Sequence, residues 1–279
     1  MDKIVLITGA SSGIGEETVK RLMTAGYTVY AGARRLDRMK SLADAGARLL
    51  ALDVTDDGSM TAAVKTVLQE TGRIDVLINN AGYGSYGALE DVPPEEARRQ
   101  FDVNIFGLAR LIQLVLPAMR AQRFGRIVNI SSIGGKFGEP FGCWYHATKF
   151  AVEGLSDSLR MELHPFGIDV VIIQPGATHT EWDKIARDSL IKYSGDGPYH
   201  KVAAAHAKMM EVGHQGSIPA PPSVVAKTIV QAVQSRNPKT RYATGGLART
   251  MLFMRRVLSD RAFDAMFRIM ERQITKSKA

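Results

Sequence analysis

Cysteine is nearly absent: Cys143 is the one thiol in 279 residues, which excludes an internal disulfide. That suits a reducing compartment, and a cytoplasmic location is expected. The chain lacks histidines at metal-ligand spacing with carboxylates. His164, His179, His200, His206 and His214 are scattered singly, so surface or pocket-lining places are expected for them. There is no uninterrupted run of about 18 apolar residues, so no membrane span is expected. "MDKIVLITGA" has no basic region ahead of its apolar stretch, so no secretory leader is expected. A G-x-S-x-G elbow is missing too, which disfavours a serine hydrolase.

Acidic residues are scarce at one end. From Arg236 to Ala279 eleven basic residues face three acids, a balance of +8, which equals the net charge of the whole chain. This tail offers Phe and Met at helical spacing rather than base-stacking aromatics, so nucleic acid is not an expected partner.

What the chain does have is alternation. Runs at 3–9, 28–33, 47–54, 74–82, 125–132 and 168–176 are rich in Val, Ile and Leu without strict polar alternation, as in strands buried on both faces. Helical patterns lie between them near 13–25, 35–45, 57–71, 95–122 and 144–164. The reading is α/β: a single domain, 1–279, built on a doubly wound parallel sheet with helices on both faces. The alternation stops after Gly176. Residues 177–222 are too long for a simple connection and are expected to form a substrate-binding lid. A helix near 222–235, a strand at 241–244 and a helical extension over 246–279 follow.

"TGASSGIG" (8–15) joins the first strand to the first helix. Gly9 suits a tight turn, while Gly13 and Gly15 permit close backbone approach to a ligand and close helix packing. The helix N-terminus would then face a pyrophosphate. At the end of the second strand, where an acid would bind ribose hydroxyls, stands Ala33, followed by Arg34 and Arg35. Their guanidinium groups suit a 2′-phosphate, so NADP(H) is expected, with NAD(H) as the alternative. Asp37 is expected to cap the next helix, and Asp56 or Asp57 the one after. Asp53, with Val54 beside it, is placed to accept a bond from an adenine amino group or to shape a turn.

"YHATK" (145–149) sets a tyrosine and a lysine four apart, on one helix face. With "TGASSGIG", "DV" at 53–54, "NNAG" at 79–82, Asn104 in "FDVNIFG", "ISS" at 130–132 and "PGATHT" at 175–180, in that order, the chain resembles the short-chain dehydrogenase/reductase family over about residues 3–180. The resemblance implies a Rossmann-type fold and hydride transfer between a nicotinamide and a carbonyl or secondary alcohol. It implies Tyr145 as general acid or base and Ser132 as the holder of the substrate oxygen. Lys149 would lower the tyrosine pKa, and Asn104 would distort its helix and hold a water in a proton relay. It also implies cofactor contacts from Gly9, Ser11, Ser12, Gly13, Ile14, Gly15, Arg34, Arg35, Asp53, Val54, Asn80, Ala81, Gly82, Tyr145, Lys149, Pro175, Gly176, Thr178 and Thr180. His146 is expected to point about 100° away from Tyr145. A catalytically silent, cofactor-sensing binding protein of the same fold is the competing reading, which the complete Ser132, Tyr145 and Lys149 set opposes.

Substrate contacts are expected from 83–87, 133–144 and 177–219. Phe137, Phe141, Trp144, Trp182, Ile185, Met209 and Met210 there suit a bulky lipophilic carbonyl or alcohol. The tail resembles the branch with 17β-hydroxysteroid and retinol dehydrogenases. Its apolar residues recur at helical spacing between arginines, which fits packing on the domain or a second subunit, or peripheral contact with an anionic membrane. A homodimer or homotetramer is expected.

Overall fold

The structure is a computed structural model and describes residues 3–216 and 218–276; of the expected helical extension over 246–279, residues 277–279 lie outside the described residues. The first half runs β1 (Ile4–Thr8), α1 (Gly13–Thr24), β2 (Thr28–Ala33), α2 (Lys40–Asp44), β3 (Arg48–Ala51), α3 (Asp57–Thr71), β4 (Val76–Asn79) and α4 (Pro94–Phe101). It continues with α5 (Gly107–Gln122), β5 (Gly125–Ile130), α6 (Cys143–Leu163) and β6 (Ile168–Pro175). After these come α7 (Glu181–Ser194), α8 (His200–Gln215), α9 (Pro222–Gln234), β7 (Arg241–Thr244), α10 (Ala248–Val257) and α11 (Asp260–Lys276).

The seven strands are parallel and ordered β3-β2-β1-β4-β5-β6-β7. The order reverses between β1 and β4, and ligands bind outside the strand ends at such a switch point. Alternation along each strand sends side chains to two cores. Ile4 and Leu6 join Met60, Val64, Leu111, Val115 and Val152 under α3, α5 and α6. Val5 and Ile7 join Val19, Leu22, Leu42, Ile229 and Val233 under α1, α2 and α9. Both faces are thereby covered, which is why the strands read as unbroken apolar runs.

Three local expectations change. The third strand is shorter than 47–54, because Asp53 begins a turn: its Oδ1 accepts bonds from Thr55 N at 2.9 Å and Thr55 Oγ1 at 2.8 Å. Asp37 caps nothing; the short turn Leu36–Met39 starts after Arg35 with no side-chain cap, and Asp37 lies inside it. Asp56 does cap α3, accepting from Ser59 N at 2.8 Å. Contrary to the expectation of no membrane span, the helical run Pro94–Gln122 is long and apolar enough, by length and composition, to cross a bilayer. Leu111, Val115 and Met119 of this run are fully buried in the sheet core.

Residues 177–222 supply α7 and α8, which pack on each other and on the rim of the sheet. A third apolar cluster joins them to the domain through Tyr86, Phe141, Tyr145, Ala186, Leu190 and Ala203. In the tail, Phe263 of α11 is buried, and its ring lies 5.2 Å from Phe137 and 5.4 Å from Phe267. Part of the tail's apolar face is therefore used in packing on the domain.

Candidate active site

The glycine turn is built as its spacing requires. Gly9 and Gly13 take φ of 66° and 55°, the left-handed region that favours glycine. A methyl group on Gly15 would lie 2.2 Å from the Gly9 carbonyl oxygen, so the first turn of α1 sits directly on the loop. Thr8, which the sequence reading passed over, braces this loop. Its Oγ1 accepts from Asn80 N at 3.1 Å and Ala81 N at 2.9 Å, and Asn80 Nδ2 donates back to Thr8 O at 2.9 Å and Gly9 O at 3.1 Å. The available signal was a lone polar residue ending an apolar strand, "IVLIT". The Ser11 and Ser12 hydroxyls have no hydrogen-bond partner among the described residues. Ile14 instead packs its side chain on the core below α1.

Arg34 and Arg35 are exposed at the end of β2, with no ion-pair partner among the described residues, whereas Arg38 is held by Glu181 at 3.0 Å. Burial works against ionisation of Asp53, but the two bonds from Thr55, with Arg34 and Arg99 nearby, hold its carboxyl below the usual range. Val54 turns its carbonyl toward α5, where a methyl group on Gly107 would lie 2.1 Å from it. Pro175 and Gly176 end β6, and Gly176 N donates to Thr244 O at 2.8 Å. Thr178 Oγ1 donates to Gly176 O at 3.0 Å. Thr180 caps α7, accepting from Trp182 N at 3.3 Å, and its methyl faces Gly13.

The four expected catalytic side chains converge beyond the ends of β4 and β5. Ser132 follows β5, and its Oγ accepts from Gly134 N at 3.0 Å. Ser132 Oγ is close enough to the Tyr145 hydroxyl to favour its ionised form, and it donates to Pro175 O at 3.5 Å. Lys149, one turn on, is buried; its Nζ donates to Ile130 O at 3.0 Å and lies 5.8 Å from the Tyr145 ring centre. Asn104 sits in a π-helical turn, Asp102–Phe106, between α4 and α5. Its Oδ1 accepts from Tyr83 N at 3.1 Å, while Nδ2 donates to Tyr83 O at 2.9 Å and Thr148 Oγ1 at 3.0 Å. The helix distortion anticipated at Asn104 is present, and its side chain ties α6 to the 82–83 loop.

Gly82 lies between these groups. A methyl there would come within 3.2 Å of Asn104 Oδ1 and 3.7 Å of Lys149 Nζ. The missing side chain leaves a slot beside the lysine, and the exposed arginines and open serine hydroxyls flank the glycine turn. These features fit a dinucleotide laid from Arg34 to Lys149.

Several expectations are corrected here. Lys149 does not set the ionisation of Tyr145. Burial pushes the Tyr145 hydroxyl well above its ordinary value; Ser132 opposes this and Glu139 adds to it. The reason is packing: Trp182 stands 5.0 Å and Tyr86 5.9 Å from the Tyr145 ring, and the ammonium is turned to Ile130. Burial pushes Lys149 itself down to about 8, against the pull of Glu153. His146 is not directed away: its buried ring lies 5.5 Å from that of Tyr145. Trp144 leaves the expected substrate wall and packs edge-on against Phe101, at 6.3 Å. Ile185 is exposed, whereas Trp182 packs on Tyr145 and Phe141 and Met210 belong to the same apolar cluster.

The sequence matches the family model described as short chain dehydrogenase over residues 3–191. It is 35% identical to a probable short-chain type dehydrogenase/reductase VdlC of Helicobacter pylori over 95% of this chain and 97% of that one. It is 47% identical to a 3-ketodihydrosphingosine reductase of Bacteroides thetaiotaomicron, over 64% of this chain and 65% of the relative. Among solved structures, a short-chain dehydrogenase from Streptomyces avermitilis superposes with a TM-score of 0.81 at 33% identity, covering 100% of this chain and 99% of that one. A metagenomic short-chain oxidoreductase in complex with NADP reaches 0.67 at 26% identity, over 86% and 95% of the two chains. A 3-ketoacyl-(acyl-carrier-protein) reductase from Brucella melitensis complexed with NADH reaches 0.69 at 28%, over 84% and 93%.

Proposed function

The chain belongs to the short-chain dehydrogenase/reductase family of nicotinamide-dependent oxidoreductases, and from that premise we propose that it is an NADP(H)-dependent reductase of a bulky, lipid-like ketone. The observation that carries this reading is the meeting of buried Tyr145, Lys149 and Asn104 with half-buried Ser132 beside Gly82. Such a cluster has a use in proton transfer and none in cofactor sensing alone.

Arg34 and Arg35 hold the 2′-phosphate, the 9–15 turn holds the pyrophosphate, and Lys149 with the 175–180 segment holds the nicotinamide end. When bound, the nicotinamide supplies the hydride to the carbonyl carbon. Ser132 keeps the substrate oxygen against Tyr145, which gives that oxygen its hydroxyl proton. The raised pKa keeps Tyr145 protonated at neutral pH, the form an acid in reduction needs. The tyrosinate left behind is stabilised by the Lys149 ammonium and regains its proton along the route past Asn104.

Support for a lipid-like ketone comes from two sides. Trp182 packs on Tyr145, and Phe141 and Met210 extend the same apolar cluster. The Bacteroides relative, by its name, reduces a keto group on a sphingoid chain. That name favours a long-chain ketone over the steroid and retinoid substrates to which the tail resemblance points. The reading includes a cytoplasmic homo-oligomer paired through exposed Phe106, Phe150 and Met161. It also includes peripheral contact of the arginine-bearing outer face of the tail with anionic membrane. Sedimentation, and liposome pull-down with and without residues 246–279, test these two points.

The main test follows absorbance at 340 nm with NADPH and NADH over ketones of increasing chain length. NADPH should be preferred, and Arg34→Ala should raise its KM about 10- to 100-fold while leaving that of NADH nearly unchanged, as expected for loss of a charged hydrogen bond. A wild-type preference for NADH would overturn the cofactor assignment.

A further inference from the structure

Beside Tyr145 lies a second buried cluster that the hydride and proton transfers do not use. Tyr86 is fully buried and donates its hydroxyl to Glu139 Oε1 at 2.5 Å. His146 is 6% exposed, and both its ring nitrogens have backbone partners. Nδ1 lies 2.9 Å from Gly134 O, and Nε2 lies 3.2 Å from Glu139 N.

These partners fix the tautomer. A backbone N–H only donates, so Nε2 is the acceptor; the Glu139 carboxylate, 3.7 Å away, is beyond hydrogen-bond reach of it. Nδ1 therefore carries the proton and donates it to Gly134 O. Gly134 N donates in turn to Ser132 Oγ at 3.0 Å. That bond fills one lone pair of the serine; its proton is directed to Pro175 O at a long 3.5 Å, so a closer substrate oxygen can take it.

The ring is also clamped. A methyl on Gly134 would lie 2.9 Å from His146 Cε1, and one on Gly142 would lie 2.6 Å from Cδ2. Two chain segments thus close on the imidazole from opposite sides, and neither admits a side chain. The second of them is strained: Phe141 takes φ of 63°, unusual outside glycine, and Gly87 N holds its carbonyl at 2.9 Å. Backbone strain of this kind persists where the surrounding structure enforces it.

We propose that His146 is a positioning residue for the reaction: through Gly134 it holds the short helical turn Ile133–Gly135, and with it the Ser132 hydroxyl, in the orientation that meets the substrate oxygen. Tyr86 and Glu139 anchor the far side of the ring. The proposal rests on the ketone-reductase reading above.

Two experiments test it. The first reads the tautomer in wild-type protein by long-range nitrogen–proton NMR of labelled histidine, with no turnover needed. A protonated Nδ1 and a bare Nε2 are expected for His146, and the opposite tautomer would overturn the proposal. The second measures NADPH-dependent reduction of the fastest ketone in the panel. His146→Leu should lower kcat about 10- to 100-fold, the scale of a small misplacement of a reacting group. KM for NADPH should stay within about twofold, because no cofactor contact is lost. His146→Asn, whose amide N–H reaches from the Nδ1 position to Gly134 O, should recover most of the rate. Should the leucine variant fail to fold, His146→Gln replaces it, since its amide reaches the Nε2 position and misses Gly134. A leucine or glutamine variant as fast as wild type, or an asparagine variant no better than either, would overturn the proposal. Absence of wild-type turnover on every ketone would instead sink the ketone-reductase reading, and the tautomer would still decide the histidine's bonds.

Discussion

Replacing Lys149 with methionine should abolish turnover and yet stabilise the protein at neutral pH. The lysine is 7% exposed, and burial pushes its ammonium from an ordinary 10.5 down to about 8. That fall corresponds to about 3 kcal/mol of penalty for keeping the charge inside. Methionine fills similar volume without charge, but it leaves the Ile130 carbonyl without its 3.0 Å donor, at a cost of about 1–2 kcal/mol. Glu153 keeps Lys136 at 2.8 Å and Arg241 at 2.9 Å, so its charge stays compensated. The net gain near pH 7 is about 1–2 kcal/mol, or a Tm rise of roughly 2–3 °C for a chain of 279 residues. The sign then reverses with pH. The folded-state pKa is depressed, so the lysine penalty is fully present below pH 8. It fades as pH rises from about 8 to 10.5, where the lysine becomes neutral in both states. Near pH 10.5 only the lost hydrogen bond remains, and the variant should be the less stable protein. Urea unfolding of both proteins at pH 7 and pH 10, without cofactor, measures the difference; tyrosine ionisation is common to both and cancels. A variant destabilised at pH 7, or a difference that ignores pH, would refute the reasoning.

Two further substitutions test the scaffold of the site. Gly15→Ala puts a methyl 2.2 Å from the Gly9 carbonyl and 2.6 Å from Asn80 Nδ2, both tied into the Thr8 brace. Unfolding free energy should fall by about 2–3 kcal/mol, with NADPH binding weakened at least about tenfold in a fluorescence titration. Asn104→Leu leaves Tyr83 N unmet and Tyr83 O with only the 3.4 Å bond from Gln100 Nε2, and should cost about 2 kcal/mol by denaturant unfolding. It should also slow turnover, and an unchanged midpoint would show that water replaces the asparagine without loss.

Much of this architecture is legible in the chain itself. Runs such as "IVLIT" and "IDVVIIQP" have the composition of strands covered on both sides, and they are β1 and β6, both flanked by strands on either side. The four-residue spacing of Tyr145 and Lys149 puts both on the inner face of α6 by helix geometry alone. What the chain hides is set by contacts distant in sequence. Tyr86 and Glu139 are 53 positions apart, and Thr8 and Asn80 are 72 apart. No local pattern announces either pair. The tyrosine's ionisation was misjudged for the same reason. A lysine one turn away suggests a lowered pKa, but Trp182 from α7 and Tyr86 bury the ring, and desolvation raises it. His146 shows the limit of helical geometry: neighbours on a helix diverge, yet both rings are buried where segments from opposite sides fold over the N-terminus of α6.

The central claim is that Tyr145 is the proton donor to a ketone held by Ser132. Tyr145→Phe keeps the ring that packs on Trp182 and Tyr86 and removes only the hydroxyl, so fold and NADPH affinity should persist. Stopped-flow absorbance at 340 nm with the best ketone should then show turnover reduced about 10²- to 10⁴-fold, the contribution of a positioned general acid. A phenylalanine variant that reduces the ketone at the wild-type rate would contradict the account.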